Sequence, residues 1–183
     1  MIRQREFTTP NPMNNVRDEF KGMYPEEIRE KLAPLRTDLV NVCLHRTKDF
    51  NKSSVLRAGN AFLASEFILV GAGHIDARGM LGLHHLENFK RADNLEETVA
   101  YLHERDYKVY AVVGEVADTV LYDEIFPVKT AFVYGEEGYP LAPEDIQLCD
   151  ASISIPQRGV DRNLNTAQNG AVFMAEYSRQ HRV

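Results

Sequence analysis

Apolar residues fall along this chain in short blocks separated by amphipathic stretches, not in one spacing throughout. Leu39, Val40, Val42, Cys43 and Leu44 make a run broken only by Asn41, and Phe67-Ile68-Leu69-Val70 make a second that stops at Gly71 and Gly73. Runs of four to six apolar residues bounded by glycine or polar turns predict strands buried on both faces. Between the two runs, Val55, Ala58 and Phe62 recur three and four apart, which predicts a helix over residues 54–63 with one apolar side. The alternation continues. Asn94 with Glu97 is a capping-box pair ahead of a helix over residues 95–105, and strands follow over 108–113 and 131–134. Pro143 opens a short helix over 143–148, a strand covers 151–155, and a closing helix over 164–180 turns Ala167, Ala171, Met174 and Ala175 inward. Near the start, Pro25 at a first helical position and the pair Ile28 and Leu32 predict a helix over residues 25–32.

Short apolar strands alternating with helices imply an α/β fold, a mostly parallel sheet flanked by helices on both faces. Pro10, Asn11, Pro12, Asn14 and Asn15 suit an irregular arm, so residues 1–35 divide off as an arm with a short helix and residues 36–183 as the folded body. Ligands in such sheets sit where the loops leave the carboxyl ends of the strands, which puts Gly71, Val113, Gly135 and Ile155 at loop mouths.

Composition narrows the function classes. At 183 residues, with 44% hydrophobic and 26% charged residues, the chain is of ordinary globular make-up. No apolar run approaches the roughly 20 residues of a membrane span, and no signal-like core follows Met1, so a cytoplasmic protein with no membrane partner is expected. Two isolated cysteines, Cys43 and Cys149, read as small buried hydrophobes, and no paired ligand spacing favours a metal. A net charge of -6 argues against a general nucleic-acid coat. The charge is uneven, however: residues 29–57 carry seven basic against three acidic side chains, and residues 87–124 carry ten acidic against four basic. Gly71-Ala72-Gly73 is a turn and not a dinucleotide loop, since no helix-opening glycine follows. His84 and His85, being adjacent, share no face of a helix or strand and read as structural or exposed.

Three stretches carry more specific signals. In "NKSSVLR" Asn51 stands six residues ahead of Arg57; "YGEEGYPL" sets two carboxylates between two glycines after a strand; "SISIPQRGVDRNLNTAQNG" leads a strand through Pro156 and Gly159 into the last helix. In this order and spacing they resemble the SpoU (TrmH-like) branch of the SPOUT RNA methyltransferases. That family has an Asn six residues before an Arg, a Gly-Asn-Glu-Gly turn with a following Leu, and Ile-Pro-Met with Gly and Ser-Leu-Asn before its final helix. The likeness covers residues 39–180, with Glu136 in place of the usual Asn, Ser53 of a Gly, Gln157 of Met and Asn163 of Ser.

The resemblance implies a C-terminal deep trefoil knot, an exception to the unknotted rule, with residues 36–183 as the SPOUT methyltransferase domain. It implies S-adenosylmethionine as cofactor, with Gly135, Ile155, Leu164 and Val113 as its contacts, and Gly135 and Gly138 letting main chain approach the ligand. The implied reaction is methyl transfer to a ribose 2′-hydroxyl of tRNA or rRNA, with tRNA favoured. The resemblance assigns Arg57 to the hydroxyl proton; a guanidinium with a pKa above about 12 is a poor base, and holding a phosphate or a developing alkoxide suits it equally. Asn51 would bond Arg57 or the ribose, Glu137 would orient Arg57 or its loop, and Asn163 and Asn165 would shape the site. The family further implies a homodimer, and the basic stretch over residues 29–57 is the candidate RNA contact. Two other readings stand beside this one: a non-catalytic RNA-binding knotted relative, and a cofactor-binding methyltransferase acting on a base or a small molecule.

Overall fold

The computed structural model describes residues 16–45, 50–72, 77–160 and 164–182. Strands β1 (Thr37–Leu44), β2 (Ala64–Val70), β3 (Phe89–Ala92), β4 (Lys108–Val112), β5 (Thr119–Val120), β6 (Thr130–Tyr134) and β7 (Ala151–Ser154) form one sheet. Its order is β3-β2-β1-β6-β4-β7-β5, and every pairing is parallel.

Alternation along the strands sorts their side chains into two cores. Leu39, Cys43, Phe67, Leu69, Tyr110 and Phe132 face helices α2 (Asn51–Ala61) and α5 (Thr166–His181), which add Val55, Leu56, Phe173 and Met174. Val40, Val42, Ile68, Val109, Ala131 and Val133 form the other core with Leu95, Val99 and Leu102 of α3 (Leu95–His103) and half-buried Ile146 of α4 (Pro143–Gln147). Helices α2 and α5 pack closely because α5 presents Gly170, where a Cβ would lie 3.3 Å from a Val55 methyl. A third, smaller cluster docks α1 (Pro25–Leu32) through Ile28 and Leu32 onto Leu86.

Caps follow the sequence signals. Asn94 accepts from the Glu97 amide at 2.8 Å to start α3, and Pro25 and Pro143 stand at the first turns of α1 and α4. Four expectations shift. Helix α2 starts at Asn51 rather than residue 54. Its buried side includes Lys52, Ser53 and Gly59 beside Val55 and Leu56, while Ala58 and Phe62 are only partly buried. In α5 Ala175 is exposed, because Phe173, Met174 and Tyr177 offer far more apolar area to the sheet and set the rotation of the helix. Strands β3 and β5 carry no long apolar run and were not among the expected strands. His84 and His85, read as structural or exposed, lie half-buried in a 3-10 turn with their ring centroids 4.0 Å apart.

One polar group stands deep in the first core. Asn41, fully buried on β1, accepts from the Tyr134 hydroxyl at 3.2 Å, and its amide nitrogen meets the Met174 sulfur at 3.5 Å. Burial holds the Tyr134 hydroxyl well above the usual phenol range, so it stays a donor to Asn41. Among the described residues no helix is long and apolar enough to cross a membrane. Cys43 is buried in the first core, and Cys149 is half-buried with its thiol pushed up to about 12 by burial.

Candidate functional site

Because all strands run the same way, their carboxyl ends share one edge of the sheet. Registers Cys43 with Tyr134, Val112 with Tyr134 and Val112 with Ile153 bring the chain leaving β1, β4, β6 and β7 together there. At the centre is the turn after β6. Glu136 and Tyr139 exchange two backbone hydrogen bonds of 2.9 Å, and Gly138 has a φ of 77°, which few L side chains adopt. Gly135 lies so close to the returning chain that a Cβ would sit 2.8 Å from the Leu141 nitrogen. The sequence reading gave these glycines to ligand approach; each is already required by the turn itself. Buried Leu141 then anchors the turn on the second core.

The amino end of α2 docks onto this turn. The Asn51 amide donates to a Glu137 carboxylate oxygen at 2.5 Å, and the Lys52 ammonium pairs with the Glu136 carboxylate with both side chains 1% exposed. Phe50, the residue before the helix, offers no side-chain cap, and these carboxylates stand near the positive end of the helix dipole. Asn51 was read as bonding Arg57 or the ribose, and Glu137 as orienting Arg57 or its loop; the structure brings these two side chains together. Arg57 is exposed and has no ion pair or hydrogen bond among the described residues. Six residues of helix turn its side chain about 120° away from that of Asn51.

A cleft of about 790 Å³, within the range of small-molecule sites, opens beside the turn. Val113, Gly135 and Leu164 line it, as do Glu115, Glu136 and Glu137. Ile155 is buried and is not part of the lining. Asn165 lines it too, and caps α5 by accepting from the Gln168 amide at 2.9 Å. Thr166 Oγ1 donates to the Gly135 carbonyl at 3.2 Å, joining the first turn of α5 to the glycine turn. Asn163 lies outside the described residues. The loop over residues 113–116 is held from behind: the Asp118 carboxylate accepts from the Ser152 amide at 2.8 Å and hydroxyl at 2.7 Å, which lowers the Asp118 pKa.

This lining suits S-adenosylmethionine. Val112, Val113, Leu141 and Leu164 offer an apolar wall for an adenine, the glycine turn offers backbone groups, and the Glu115 and Glu137 carboxylates favour a sulfonium and an ammonium. Sequence reasoning missed Lys52, counting it with the basic stretch for RNA contact. Lys52 is buried in its pair, and Arg36 is held by Glu87 and two carbonyls, so neither is a free cation. Arg29 and Lys31 remain exposed, and Arg46 and Lys48 lie outside the described residues. Only the pairing of Glu136 across 84 residues reveals Lys52, and no local pattern carries that signal.

Comparison with known proteins agrees with this fold. The chain is 27% identical over 156 residues to a tRNA (guanosine(18)-2'-O)-methyltransferase of Thermus thermophilus, covering 84% of this chain and 80% of that one. A mouse tRNA (guanosine(18)-2'-O)-methyltransferase is 33% identical over 84 residues, which is 44% of this chain but 5% of the mouse protein. Among solved structures, the A. aeolicus TrmH/SpoU tRNA modifying enzyme superposes with a TM-score of 0.76 at 20% identity, covering 86% of this chain and 82% of that one. The SpoU methyltransferase AviRb from Streptomyces viridochromogenes, in complex with AdoMet, superposes with a TM-score of 0.71 at 24% identity, covering 83% and 64%. The sequence profile of the SpoU rRNA Methylase family matches residues 39–175, which takes in β1 through most of α5, and the chain belongs to that family.

Proposed function

We infer that this protein is an S-adenosylmethionine-dependent RNA methyltransferase that transfers methyl to a ribose 2′-hydroxyl. The observation that carries the reading is the meeting of Asn51 and Glu137, 86 residues apart in sequence, beside a glycine-turn cleft at the carboxyl edge of the sheet. S-adenosylmethionine, when bound, supplies a methyl already activated by a sulfonium, so the protein's task is alignment and help with one proton. Val113, Gly135 and Leu164 would hold it, with Glu137 fixing Asn51 so that its carboxamide is presented to the ribose. Arg57 holds the substrate phosphate and the developing alkoxide. Asn165 sets the first turn of α5 against the glycine turn. Residues 36–183 form the methyltransferase domain and residues 1–35 an arm with its short helix.

The tie between Thr166 and Gly135 supports the family's knot, in which the last segment is drawn against the turn after β6. Tyr122, Ile125 and Val128, large apolar residues left exposed next to the carboxyl end of α5, support a homodimer. So does Arg57, which is not part of its own chain's cleft lining and would reach a site from the second copy. The substrate is tRNA, in line with the Thermus relative that aligns along most of this chain. A cytoplasmic setting suits an RNA substrate and two cysteines, Cys43 and Cys149, that form no disulfide.

The test is transfer of labelled methyl from S-adenosylmethionine to total tRNA and rRNA, with the product located by resistance of its 3′ phosphodiester to alkali. Alkali-resistant label in tRNA that vanishes in Arg57→Ala is expected. Label that alkali releases would move the reaction to a base, and no label despite cofactor binding would leave a non-catalytic RNA-binding relative or a small-molecule enzyme.

A further inference from the structure

Two pairings join α2 to the cofactor turn in consecutive register, Asn51 to Glu137 and Lys52 to Glu136. A single hydrogen bond sets a distance and leaves rotation about it free. A second link from the next residue of each segment removes that rotation, so helix and turn move as one plate. The two links differ in solvent. Asn51 is half-buried and Glu137 is exposed, so water and substrate groups can compete for that bond. Lys52 and Glu136 are 1% exposed, and breaking their pair would separate two charges away from water. Glu136 is also fixed at its own backbone by Tyr139 and lines the cleft.

Resting on the cofactor reading above, we propose that Lys52 and Glu136 are positioning residues that transmit occupancy of the cofactor turn to α2, and so to Asn51 and Arg57. The buried pair is the fixed anchor. The exposed bond is the exchangeable one, released when a ribose arrives. A ligand that orders residues 135–141 therefore also orders the helix on which the RNA-side residues stand, which is coupling through a rigid element rather than through ligand contact. Glu136, which departs from the family's usual Asn, is one half of a matched pair with Lys52.

The experiment is amide hydrogen exchange with and without S-adenosylhomocysteine, on the wild type and on the neutral pair Lys52→Met/Glu136→Gln, which keeps the shape and removes both charges. In the wild type the ligand is expected to slow exchange on the order of tenfold in both residues 135–141 and the first two turns of α2. In the neutral pair, slowing persists in 135–141 and falls below about twofold in α2. A merely structural pair would alter resting exchange and leave the response to ligand intact. Equal slowing of α2 in both proteins overturns the proposal. Should the neutral pair fail to fold, Glu136→Asp keeps the charge, retracts the carboxylate by one methylene and carries the same expectation. If nothing slows in the wild type at any ligand concentration, the cofactor reading itself fails and the coupling falls with it.

Discussion

The two ends of the sheet each bury a cation against a carboxylate, and the two pairs are built differently. At the amino edge, Arg36 donates to Glu87 at 2.5 Å, to the Ala64 carbonyl at 2.8 Å and to the Leu86 carbonyl at 3.0 Å, while Glu87 also accepts from Asn60 at 2.6 Å. The planar guanidinium is tied to three fixed partners, so that pair welds α1's docking region to β2 and α2. At the carboxyl edge Lys52 is a point charge on a flexible stem, set beside an exchangeable bond and a cleft. Burial therefore does not by itself set the role: the kind of cation and what lies beside the pair separate a weld from a coupling.

The largest expected effect tests that contrast directly. Lys52→Met and Arg36→Met should each lower stability by about 3–5 kcal/mol in denaturant unfolding, because each removes the cation from a buried ion pair. Only Lys52→Met should also weaken binding of S-adenosylhomocysteine by calorimetry, by about tenfold. Matching losses of affinity in both variants would abolish the distinction between the two ends.

Arg57→Ala should separate chemistry from folding. Methyl transfer is expected to fall on the order of 10²–10³-fold, while stability changes by less than about 0.5 kcal/mol, as for an exposed, unpaired side chain. An unfolding midpoint that moves with the rate would give Arg57 a structural place instead.

Within the turn, Gly135→Ala should cost more than Gly138→Ala. The first places a methyl against the Leu141 backbone and is expected to cost about 1–3 kcal/mol; the second meets open space and bears only its left-handed φ, about 1 kcal/mol. Cofactor affinity should fall in the same order.

The smallest effect is in acid. Ser152 holds the folded Asp118 pKa below its unfolded value, so the clamp contributes stability above the ordinary carboxylate range that is lost as pH falls through the folded pKa. Asp118→Asn should flatten the acid limb of the melting curve below about pH 4 and leave neutral pH nearly unchanged. An unchanged acid limb would show that the clamp holds the loop without the charge.

Elements that bury a long apolar run were legible in the sequence, because period and apolar blocks are local properties: β1, β2, β4, β6 and β7, and the helices with their caps at Asn94 and Pro143. Strand β3 was not, since Phe89-Lys90-Arg91-Ala92 pairs on one side only and exposes both cations, and β5 is two residues held by β7. The motif residues Asn51, Arg57, Gly135 and Glu137 were legible as a spacing. Their partners were not. That Asn51 meets Glu137 and not Arg57, that Lys52 is sunk against Glu136, and that Arg36 is a weld depend on which parallel strands lie next to one another and bring segments more than 25 residues apart within hydrogen-bond reach. A one-dimensional pattern fixes which face of an element seeks burial; only the sheet order decides which charges are buried with it, and a buried charge takes whatever partner the fold has placed within reach.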